Sequence, residues 1–149
     1  MELKLKAVSP KIGAELPFPF YATPGSAAMD LCACIDAPAE LPPPQIVRLP
    51  TGIAIALPSP EYVALVFARS GLGIRHGVAL ANGVGVIDSD YRGEIQVGLI
   101  NQSDVPYTVQ PGERIAQLAV LPVVQARLSA VSELDETSRG TGGFGSTGK

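Results

Sequence analysis

Short runs in which apolar and polar residues alternate, each closed by proline or glycine, recur along the whole chain. Leu3, Leu5 and Ala7 alternate with charged neighbours and predict a first half-buried strand. Leu16 to Tyr21 and Thr23 to Ser26 are extended or turned, because each proline removes a backbone donor and restricts the residue before it. Ala28 to Ile35 resumes as a strand carrying Asp30, and Ile46–Leu49, Gly52–Leu57 and Tyr62–Ala68 add three more. Asn82–Ile87 and Ile95–Ile100 flank a bend of turn formers and charge, so this stretch predicts a long β-hairpin with Asp88 and Asp90 at its tip. Val105, Tyr107 and Val109 alternate again, a Pro111-Gly112 turn follows, and Arg114 to Leu121 predicts a last strand. Only Arg69 to Gly77 breaks the rhythm, where Ser70 as N-cap and Gly77 as stop predict one short helix.

Roughly ten strands at spacings of about a dozen residues predict an all-β sandwich or barrel. The 149 residues fit one domain, with 1–136 as its β body and 137–149 as a C-terminal arm. From Glu133 the apolar periodicity stops, and Arg139 to Lys149 closes the chain as a flexible Gly-rich segment. Composition agrees with many turns, since 16 glycines and 14 prolines make up about a fifth of the chain.

Charge then narrows the partners. A formal net charge of −3 provides no basic field for a duplex backbone, which excludes nucleic acid as the expected partner. Met1 to Lys6 alternates charge with Leu and lacks the apolar core of a signal peptide, and no run approaches a membrane span. A cytoplasmic protein without a membrane partner is expected. Cys32 and Cys34 sit two apart on one predicted strand, a spacing that suits neither a zinc pair nor an unstrained disulfide, so they are expected as reduced, buried thiols.

Several segments are candidates for chemistry. Asp88 follows the apolar Val86-Ile87 pair, which places a carboxylate at the rim of a core, where it can serve as a base; the plainer reading is a solvated turn acid. Asp30, Asp88 and Asp90 are also acids suited to a hard cation. Arg69-Ser70-Gly71 sets a guanidinium, a hydroxyl and free amides at a helix start, either as an anion site or as a simple cap. Gly143 to Lys149 matches the first seven places of G-x-x-x-x-G-K, but no Ser or Thr follows and no strand leads in, so a P-loop is excluded. Phe144 among the glycines leaves two readings of this arm, a phosphate-binding lid and a plain tail. Tyr91 can stack on a ligand or pack on the hairpin. His76, the only histidine, has no serine or cysteine tied to it by sequence and gives no support to a nucleophilic triad.

Taken in order, five of these segments resemble the motifs of the homotrimeric dUTPases. They are Ala27 to Leu31, Ala68 to Gly73, Asn82 to Gln96 with its Gly-Val-Ile-Asp-Ser-Asp-Tyr-Arg-Gly-Glu-Ile run, Gly112 to Leu118, and Arg139 to Gly148. Ala28 stands where the family usually has Gly, and Ala68 where it usually has Pro; neither change removes a functional group. The resemblance implies a distorted jelly-roll subunit, a homotrimer with active sites shared between subunits, and Mg²⁺-assisted hydrolysis of dUTP to dUMP and pyrophosphate. That reaction limits uracil in DNA and supplies dUMP for thymidylate synthesis. It also implies roles. Asp88 would be the general base for the attacking water, and Asp30 would hold Mg²⁺ through water. Arg69, Ser70, Gly71 and Gln117 would contact phosphates, while Arg139, Gly145, Ser146 and Thr147 would close over the γ-phosphate. Asn82 would pair with the uracil edge, Tyr91 would exclude a 2′-hydroxyl, and Phe144 would cover the base. A dCTP deaminase of the same fold and a nucleotide-binding protein without turnover are the rival readings.

Overall fold

The computed structural model describes residues 1–143. Its strands are β1 (Lys4–Ala7), β2 (Met29–Cys32), β3 (Ala39–Leu41), β4 (Ile46–Pro50), β5 (Ile53–Ala56), β6 (Tyr62–Ala68), β7 (Val78–Leu80), β8 (Gly85–Ile87), β9 (Gln96–Asn101), β10 (Tyr107–Val109) and β11 (Arg114–Pro122). The one helix among the described residues, α1, spans Ser70–His76. An all-β domain with one short helix is what the alternation predicts.

All ladders between strands are antiparallel. A four-stranded sheet in the order β2-β11-β6-β8 and a three-stranded sheet β4-β9-β7 are accompanied by the pairs β1-β5 and β10-β3. Period-two alternation builds the core between them: Val97 and Leu99 of β9, Leu31 of β2, Val66 of β6 and Leu118 of β11 are all buried. The longest ladder joins β11 to β6 from Ala116↔Ala68 to Pro122↔Tyr62. Where β11 meets β2 the register slips between Arg114 and Ala116, so that Ile115 and Ala116 are both buried. That extra residue is a β-bulge.

Four sequence expectations are corrected. The stretch around Asp88 is not a laddered hairpin: β8 pairs with β6 and β9 pairs with β4 and β7, so its two arms belong to different sheets. The reason is non-local. β9 has both edges occupied, and Asn82 to Val84 turns instead of extending. Second, Arg69 is the N-cap of α1 in extended conformation, Ser70 is the first helical residue, and no side chain caps the helix, whereas Gly77 ends it with φ 67° as expected. Third, β2 ends at Cys32, leaving Cys34 beyond it, and both thiols are free but only partly buried. Burial first, and the Asp30 carboxylate second, push the Cys32 thiol up. Fourth, Val105 is exposed and precedes β10.

One buried polar group ties the sheets at their far end. Asn101 is fully buried; its Nδ2 donates to the carbonyls of Leu41 (2.9 Å) and Val105 (2.8 Å), and its Oδ1 accepts from Ser103 N–H (3.0 Å) and Oγ (2.8 Å). Asn101→Ala would strand these groups, and chemical denaturation should show a loss of about 3 kcal/mol. A result within a few tenths of wild type would contradict this. Nearby, the Tyr107 phenol donates to Glu113, and burial with that bond pushes its pKa up to about 12. Because the folded value lies above the ordinary one of about 10, the bond stabilises the fold below that pH and its contribution is lost as pH rises toward 12. Absorbance titration should find one late tyrosine that Glu113→Gln brings forward.

Candidate active site

The loop from Asp88 to Ile95 is held at both ends. At its start Ile87 is buried and pairs with Ala64 of β6, so Asp88 is the first residue to leave the core and is itself exposed. At its end Thr51 Oγ1 donates to the Ile95 carbonyl (2.6 Å), Ile95 N–H donates to Ile53 (2.8 Å), and Gly52 N–H donates to Glu94 Oε1 (2.8 Å). Gly52 has φ 72°, and a Cβ there would meet Cys34 Sγ at 2.8 Å, so this anchor requires glycine. Inside the loop Tyr91 N–H donates to the Asp88 carbonyl (3.2 Å), and the Tyr91 hydroxyl donates to the Glu94 carbonyl (3.0 Å). Arg92 Nη1 donates to the carbonyls of Ser89 and Tyr91 (2.8 Å each). A cleft of about 210 Å³ results, lined by Asn82, Asp88 and Tyr91 over Val66, Leu80 and Val97.

A second cluster forms where β2, β11 and β6 run side by side. The register places Asp30 opposite Gln117, and Gln117 opposite Phe67, in one row across three strands. Gln117 Nε2 donates to the Ala68 carbonyl (3.0 Å), just before Arg69 and the α1 start. Asp30, 8% exposed, takes a guanidinium on each oxygen: Arg69 Nε lies 3.0 Å from Oδ1, and Arg114 Nη1 lies 3.0 Å from Oδ2. Arg69 Nη1 also donates to the Arg114 carbonyl (3.1 Å). Ser26, Ala28 and Ser70 complete a shallow, cationic depression.

The two clusters share no lining residue. Val66 floors the first and Phe67 lines the second, and consecutive strand residues point to opposite faces of a sheet. One chain therefore brings together Asn82, Asp88 and Tyr91, and separately Asp30, Arg69, Ser70 and Gln117. Gly71, which follows Ser70 in α1, lines neither depression, and Arg139 sits in an exposed turn donating to the Gly142 carbonyl (2.9 Å). Phe144, Gly145, Ser146 and Thr147 lie outside the described residues.

Comparison with known proteins decides the kinship. The dUTPase family model matches residues 14–148. The chain belongs to the dUTPase family. A deoxyuridine 5'-triphosphate nucleotidohydrolase of Idiomarina loihiensis is 51% identical over 99% of this chain and 98% of its own length. One from Aeromonas salmonicida is 50% identical over 99% and 97%. Among solved structures, a mutant dUTPase of Staphylococcus bacteriophage 80alpha with dUpNHpp superposes with TM-score 0.86 at 24% identity, covering 99% of both chains. A mutant dUTPase from phage phi11 of S. aureus that coordinates a structural Mg(II) ion gives 0.78 at 19% identity over 91% of this chain and 100% of its own. These likenesses establish the jelly-roll-like dUTPase fold.

Three contributors escape a sequence reading. Arg114 reads as an ordinary outward strand residue, and Thr51 and Glu94 give no local sign of their long-range bonds. Gly93 carries a weak signal, a glycine beside an aromatic. A Cβ there would collide with the Tyr91 hydroxyl. Gly93→Ala should therefore expel Tyr91 from the Glu94 carbonyl, seen as faster hydrogen exchange at residues 88–92 in a still folded protein. Unchanged exchange would show that the ring can shift without releasing the loop.

Proposed function

We propose that this chain hydrolyses dUTP to dUMP and pyrophosphate as a homotrimer, in sites built from more than one subunit. The observation that carries the reading is near-full-length kinship at about half identity with enzymes named for this reaction. Asp88 at the cleft rim takes a proton from a water as the water oxygen bonds to the α-phosphorus. The α–β bridging P–O bond breaks and the electron pair leaves with pyrophosphate. Asn82 and the loop backbone pair with the uracil edge, so cytosine leaves buried polar groups unmatched. Tyr91, pinned by Glu94, fills the space a 2′-hydroxyl would need. Ser70, Gly71, Arg69 and Gln117 receive the phosphates, and residues 137–149 form a lid in which Arg139, Gly145, Ser146 and Thr147 meet the γ-phosphate and Phe144 covers the base.

Two features support a shared site. The base-side and phosphate-side clusters lie on opposite faces of one sheet, so a single copy cannot bring them around one nucleotide. Beyond β11, residues 124–136 pair with nothing regular and leave Val124, Leu128 and Leu134 between 87% and 93% exposed. Apolar exposure of this extent suits contact with another copy.

Mg²⁺ is the expected cofactor. Such an ion usually takes only one or two carboxylates, with waters and substrate phosphates completing its shell. An ionised carboxylate offers about four acceptor sites. With one guanidinium on each oxygen, Asp30 retains capacity to accept from metal-bound water. Mg²⁺ supplies charge neutralisation along the triphosphate when bound.

A pyrophosphate-release assay across dUTP, dCTP, dTTP and UTP, with and without Mg²⁺, should find turnover of dUTP alone and dependence on the metal. Ammonia from dCTP would make the protein a deaminase, and binding of dUTP without turnover would make it a nucleotide-binding protein. Asp88→Asn should lower kcat by about 10² to 10⁴ while leaving dUTP affinity intact. Undiminished turnover would remove the base assignment.

A further inference from the structure

The bulge in β11 has a chemical outcome. In an unbroken strand Arg114 and Gln117, three residues apart, would point to opposite faces. The register slip between Arg114 and Ala116 instead buries two successive residues, Ile115 and Ala116, and returns Arg114 to the face that carries Gln117, Cys32 and Asp30. There its guanidinium meets Asp30 Oδ2 at 3.0 Å, on the side away from Arg69, while its own carbonyl accepts from Arg69 Nη1 at 3.1 Å. Arg114 therefore touches both partners of the Asp30–Arg69 pair, one through its side chain and one through its backbone.

We propose that Arg114 is a positioning residue for the reaction: delivered by the bulge, it fixes the Asp30 carboxylate, and that carboxylate in turn sets the direction of the Arg69 guanidinium over the phosphate-side depression. The proposal rests on the functional reading above. Without Arg114 the Asp30 carboxylate keeps a single cationic partner and is free to rotate toward it, turning Arg69 with it. The side chain of Arg114 is 45% exposed, so its removal opens no core cavity and the fold is retained.

The test is a double-mutant cycle on full-length protein, with kcat/KM for dUTP, affinity for the imido analogue of dUTP, and Tm measured together. Arg114→Ala should lower kcat/KM about tenfold or more and weaken the analogue, with Tm within a few degrees of wild type. Arg114→Lys, which keeps the charge without the fork, should recover part of the loss. In an Asp30→Asn background Arg114→Ala should cost little further, whereas its effect should add to that of Asn82→Ala on the opposite face. Wild-type values for Arg114→Ala, or full additivity with Asp30→Asn, would overturn the clamp. So would a fall in Tm that accounts for the activity lost in both Arg114→Ala and Arg114→Lys. Absence of dUTP turnover in the wild type would overturn the functional reading and the clamp with it.

Discussion

The ladder between β6 and β11 is the constraint on which the rest of the structure depends. Seven registered pairs fix β6 so that Val66 faces the core and Phe67 faces outward. A slip of one residue would exchange those faces and put every buried side chain of the strand into water. The same ladder holds Gln117 beside Phe67 and, through the next strand, Asp30 beside Gln117. β8 borrows the free edge of β6 to launch Asp88. Both halves of the proposed chemistry are thus hung on one strand, from opposite sides.

Position in the sheet also explains how polar groups are tolerated. Asp30 is almost buried but carries two guanidiniums, and Asn101 is fully buried but has every hydrogen-bonding group engaged. The loop of Asp88 follows another logic: the pairing of Ile87 with Ala64 holds its start and bonds from Thr51 and Gly52 hold its end, while its tip faces solvent. Rigid ends and an accessible carboxylate are what a base that must meet a water requires.

Much of this was legible in the residues. Alternation in Arg114 to Leu121 and in Tyr62 to Ala68 predicts strands because both have one buried face, and Gly77 marks the helix end because only glycine takes φ 67° without strain. The three-residue strands β3 and β7 are too short to show a period. The stretch around Asp88 reads as a hairpin because two apolar arms flank turn formers; its true pairing partners, β6 and β9's neighbours, lie far off in sequence. The bulge at Ile115 is invisible for the same reason, since Ile115-Ala116 is an unremarkable apolar pair until β2 is laid beside it. As for the candidate site, resemblance to a motif order points to its residues, whereas their separation into two clusters is a fact of the sheet.

That separation makes the shared site the central claim, and subunit mixing tests it most directly. Asp88→Asn and Arg69→Ala homomers, each inactive or nearly so, are unfolded together, refolded and assayed for dUTP turnover. In the trimer we propose, every mixed assembly holds one site with both residues intact, so random mixing should restore roughly a quarter of the wild-type rate. A mixture no more active than its two components would place Asp88 and Arg69 of the same chain in one site and contradict the account.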